Sequence, residues 1–98
     1  MENNFDIMRN IKSLENLKVE LLSKTASVFK NFNNDELPQE LIDDICHVII
    51  IGYLLGNKLG YDFKEIDDEI LKRIRSISAE IEEDAQNYRE LAEHIKKR

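Results

Sequence analysis

Four ionisable side chains fall within eight residues near the middle of this chain: Glu40, Asp43, Asp44 and His47, in the stretch QELIDDICHVIIIGYLL. At about 100° per residue these spacings place all four in one sector of an α-helix. Carboxylates on one helix face are the oxygen donors that hold Mg²⁺ or Mn²⁺. A histidine among them shifts the preference toward Mn²⁺, Zn²⁺ or iron. One helix cannot surround an ion, so a second must contribute; the preceding segment offers Glu20, with Asn16 one turn earlier on the same face. The same residues have a plainer reading. Acids favour a helix N-terminus because they complement its macrodipole, and a histidine beyond them is then an ordinary core-edge residue. Spacing alone leaves both readings open.

Other chemistries are weaker. Asp44-x-x-His47 loosely resembles the Glu-x-x-His of di-iron bundles, but those need a second such pair, and His94 has Leu91 three residues before it. Cys46 and His47 are sequence neighbours and do not share a helix face, so they form no nucleophile–base pair. Cys46 is expected to be a small buried hydrophobe. No glycine-rich phosphate loop is present.

Three helical segments must position these groups. In the first, from about Asp6 to Phe32, Ile7, Ile11, Leu14, Leu21, Val28 and Phe32 recur at helical steps; a break near Ser13 stays open. NFNND then ends it, since Asn and Asp favour local turns. The second segment begins at Pro38, which suits a first helical turn, and ends before Gly60, which suits the position just past a helix. Its apolar residues, Ile45, Val48 to Ile51 and Tyr53 to Leu55, point in nearly every direction, so this helix is expected to be buried all round. Gly52 and Gly56 lie four apart and are expected to admit a closely packed helix. The third segment opens on Asp62 with Glu65 three residues later, a capping-box-like start. Apolar residues then recur from Phe63 to Ile95 with no proline or glycine between. So long a stripe needs cover, from the first helix or from a second copy.

Composition narrows the class. Ninety-eight residues, 42% apolar and 35% charged, with three glycines, one proline and no tryptophan, are rich in helix formers and read as one all-α domain spanning 1–98. A net charge of −6 argues against a general DNA or RNA binder, though not against a nucleotide held through a metal ion. The basic Lys96–Arg98 end complements a helix C-terminus. A single cysteine permits no internal disulfide, and MENNFDIMRN is unlike a signal peptide, so a cytoplasmic location is expected. Val48–Leu55 is far short of the roughly 20 apolar residues that span a bilayer, so no membrane association is expected.

ELIDDICHVIIIGYLLGNKLGYDFKEIDDEILKR resembles the second half of the all-α nucleotide pyrophosphohydrolase superfamily, the MazG-like proteins. The matching parts are Asp43 and Asp44, the apolar run Val48–Leu55, Leu59-Gly60 and Asp62, while LENLKVELL resembles the family's first metal helix. The resemblance covers roughly Asp6 to Arg75. It implies a helical bundle completed by a homodimer or higher oligomer. Active members bind Mg²⁺ with a Glu-Glu-x-x-Glu and a Glu-x-x-Asp motif and split nucleoside triphosphates into monophosphate and pyrophosphate. Here Glu20 takes the last glutamate of the first motif, leaving Asn16 and Leu17 at the earlier acidic positions. Counting back from Leu59-Gly60 places Asp44 and His47 on the second motif; a register one turn earlier uses Glu40 and Asp43. Two functions follow as expectations. One is a divergent Mg²⁺- or Mn²⁺-dependent nucleotide pyrophosphohydrolase, with Glu20, Glu40, Asp43 and Asp44 as ligands and His47 as ligand or base. The other is a non-catalytic helical module for self-association or partner binding.

Overall fold

The computed structural model describes residues 4–32, 39–80 and 84–98. All regular structure among them is helical: α1 Asn4–Phe32, α2 Gln39–Lys58, α3 Phe63–Glu80 and α4 Ala85–Lys97. The all-α class is as expected, but there are four helices and not three. The long C-terminal segment divides, and its composition supplies the reason. Residues 80–84 read Glu-Ile-Glu-Glu-Asp, and α3 has no basic residue in its last turn. Acids oppose the macrodipole at a helix C-terminus and favour it at the next N-terminus, so the run suits an end followed by a start. Asp84 is the N-cap of α4.

The chain forms two compact units, Met1–Gly60 and Tyr61–Arg98. In the first, α1 packs against α2. Helix α1 runs through Ser13 without a break. The buried residues of α2 are Leu41, Asp44 and Ile51, a stripe at steps of three and seven that faces α1. All-round burial does not hold. Ile42, Ile49 and Ile50, on the other side of α2, are each at least half exposed, because within this unit only α1 is there to cover it. Cys46 is likewise exposed and not buried as expected. The outer face of α1 carries Met8, Ile11, Val19, Leu22 and Phe29, also exposed.

Pro38 and residues 33–35 of the expected NFNND turn lie outside the described residues. The other end of α2 closes as its sequence predicts. Leu59 N–H donates to the Leu55 carbonyl and Gly60 N–H to that of Asn57, both at 3.1 Å. Gly60 has φ 108°, the left-handed conformation that glycine enters without steric cost. A Cβ at Gly52 would meet nothing within 4 Å, so no helix among the described residues packs closely against it.

In the second unit α3 packs against α4. The capping box at its start is made in both directions. Asp62 Oδ1 accepts from Glu65 N–H at 2.7 Å, and Glu65 Oε1 accepts from Asp62 N–H at 3.4 Å. Ile74 and Ile95 are buried. The far end of the apolar stripe therefore finds its cover within the same unit, once the segment has divided in two. Arg98 pairs with Asp67 at 2.9 Å, tying the last residue of the chain to the first turns of α3.

Candidate functional site

Of the four clustered residues, the structure buries one. Asp44 is 7% exposed, whereas Glu40, Asp43 and His47 lie on the exposed part of α2. Asp44 is four residues after Glu40 and three after Leu41, in the stripe turned to α1. A carboxylate taken from water needs partners, since an unpaired buried charge is costly. It finds three on α1. Ser27 Oγ donates a hydrogen bond to Asp44 Oδ2. Asn31 Nδ2 donates to the same oxygen at 3.1 Å and also reaches Ser27 Oγ at 3.5 Å. Lys24 Nζ stands 3.9 Å from Oδ1. Both carboxylate oxygens are thus engaged by side chains of the neighbouring helix. No buried side-chain nitrogen or oxygen among the described residues lacks a partner.

Lys24, Ser27 and Asn31 are spaced three and four apart, so they share one face of α1. Sequence reasoning passed over them. Their signal was present: they interrupt, with polar side chains, the face that also carries Leu14, Leu17, Leu21 and Val28. Ser and Asn in a helix interior are unremarkable when solvated, and only their spacing against a buried Asp gives them meaning.

Glu20 lies on the same face of α1, exposed and seven residues before Ser27, which is about 10 Å along the axis. Because the last turns of α1 meet the first turns of α2, the two helices run antiparallel, and the level of Glu20 is that of Ile51. Glu40 lies one turn to the other side of Asp44. Asp43 accepts a hydrogen bond from Gln39 Nε2 at 3.0 Å. Oxygen ligands stand about 2.0–2.6 Å from Mg²⁺ or Ca²⁺, so ligating carboxylates must converge. Among the described residues no group of three or more His, Cys, Asp and Glu side chains is placed to hold a metal ion. At Asp44 the position a cation would take is next to the Lys24 ammonium. The carboxylates of the described residues do not converge on a metal ion within this single chain.

The described residues form an all-α chain with an acidic helix start, a buried carboxylate facing the preceding helix and a Leu-Gly turn before a capped third helix. The chain belongs to the MazG-like family, whose model matches residues 7–97. No curated protein and no solved structure matches it. No helix among the described residues is long and apolar enough to cross a membrane.

Proposed function

We propose that this MazG-like chain works by association and not by hydrolysis, as a helical module that pairs with a second copy of itself. The observation that carries this reading is the outer face of α2. Ile42, Ile49 and Ile50 are 50%, 55% and 53% exposed, on a helix that is the most apolar of the four by sequence. Contiguous exposed apolar side chains of this kind mark interaction surfaces. The absence of a convergent carboxylate group among the described residues supports the non-catalytic half of the reading. Sedimentation velocity over a range of concentrations tests the first half, with a dimer expected and Ile49→Glu expected to shift it to monomer. Pyrophosphate release from each common nucleoside triphosphate, with Mg²⁺ and with Mn²⁺, tests the second, with no turnover expected.

A second reading is favoured by the family membership over residues 7–97 and by the exposure of Glu20, Glu40, Asp43 and His47. In it the chain is a divergent nucleotide pyrophosphohydrolase that converts a triphosphate to monophosphate and pyrophosphate. Its Mg²⁺ or Mn²⁺ would neutralise phosphate charge, and exposed carboxylates of two copies would have to complete the ligand set. Turnover that disappears in Asp43→Ala and in Glu40→Ala would establish this reading and overturn the first.

A further inference from the structure

We infer that Asp44, Lys24, Ser27 and Asn31 form a metal-independent polar latch that sets the register of α1 on α2, with Lys24 supplying from the chain the positive charge that the family pattern assigns to a metal ion. Three features carry this. The carboxylate is nearly closed to solvent at 7% exposure. Both of its oxygens are engaged: Oδ2 accepts from Ser27 and Asn31, and Oδ1 faces Lys24 at 3.9 Å. The partners all come from one face of one helix, so they act on the carboxylate together.

The surrounding contacts do not specify register by themselves. Leu, Val and Ile side chains on the facing stripes pack tolerably after a slip of one turn, about 5.4 Å, because apolar contact is non-directional. The latch does not tolerate that slip. A slip of four residues in one direction puts Glu20 in the place of Lys24, with Ser23 and Ser27 in the places of Ser27 and Asn31. A slip of four in the other puts Val28 in the place of Lys24 and Asn31 in that of Ser27. Either way the buried carboxylate loses the ammonium beside it, and in the first case it meets a like charge instead, which is strongly disfavoured. Polar groups inside an apolar seam fix register in this way in coiled coils. A divalent ion has no vacant role here, since it would have to displace the donors Ser27 and Asn31 or approach the Lys24 ammonium of like charge.

The latch rests on the geometry of the α1–α2 pair and stands whether or not the association reading does. The test is thermal unfolding of the full chain at one fixed concentration, in EDTA and in millimolar MgCl₂ or MnCl₂. The wild-type midpoint is expected to be the same in all three. Lys24→Met and Ser27→Ala are each expected to lower it in EDTA by about 4–8 °C. Lys24→Met combined with Asp44→Asn is expected to lose less than the sum of the two single changes, the mark of direct coupling. A midpoint that rises with Mg²⁺ or Mn²⁺ in the wild type but not in Asp44→Asn overturns the latch. So does an unchanged midpoint in both Lys24→Met and Ser27→Ala, which decides the matter even if Asp44→Asn does not fold. Sedimentation of the same samples separates the two ideas: monomeric protein with the full latch signature sinks the association reading alone.

Discussion

Ile51 is 2% exposed, the most completely covered large side chain among the described residues. It lies seven residues after Asp44 on the same stripe of α2, so the two define the seam with α1. Truncation to Ala removes most of a buried side chain and leaves a cavity, and is expected to cost about 2–5 kcal/mol, read by urea unfolding. His47→Ala and Glu40→Ala, at exposed positions, are expected to change stability by no more than about 0.5 kcal/mol. That contrast separates the seam from the exposed sector of the same helix. Asp44 belongs with the seam. From sequence it is one of several acids at a helix start, where solvated acids are usual. Nothing local distinguishes it from Asp43 beside it. A rotation of 100° about the helix axis puts one in water and the other against Ser27 and Asn31.

The helix ends were the most legible elements, because their chemistry is local. Asp62 and Glu65 exchange both hydrogen bonds of a capping box, as their spacing predicts. Asp62→Ala is expected to cost about 1 kcal/mol, measured by thermal or urea unfolding. Gly60, at φ 108°, is needed for its backbone, and Gly60→Ala destabilises although open space surrounds it. Gly52 is the opposite case. It sits inside α2 with nothing within 4 Å of a Cβ, so Gly52→Ala is expected to raise stability by about 0.5–1 kcal/mol, by the same measurement. The division between α3 and α4 was harder to see. An uninterrupted apolar period extends from Phe63 to Ile95, and no proline or glycine marks a stop. Only the charge run at 80–84 weakens it, and charge placement is a small local term that tertiary packing can reinforce or override.

At the scale of the whole molecule, the composition that makes this chain helical also leaves it with more apolar surface than two-helix units can cover. Each helix of a pair has one inward stripe, while α2 is apolar on both sides. Ile42, Cys46 and Ile49 fall at steps of four and three, in one outward sector of α2, and all are exposed. If that sector joins two copies, labelling of Cys46 by a thiol reagent slows as protein concentration rises. Ile49→Glu is expected to abolish the concentration dependence while leaving the labelling rate of dilute protein unchanged. A rate independent of concentration in the wild type would place the association elsewhere.

Sequence alone settled the helical class, the Gly60 turn, the Asp62–Glu65 capping box and the family, because helix propensity, apolar period and turn chemistry act between residues close in the chain. It also singled out the acidic start of α2 as the place to look. The tertiary structure decided which of those acids is buried and what it meets. Lys24, Ser27 and Asn31 lie 13 to 20 residues from Asp44 along the chain, and no local rule couples positions so far apart. Their meeting depends on the register and rotation of one helix against another. That packing sets one of the acids singled out from sequence against a lysine, a serine and an asparagine.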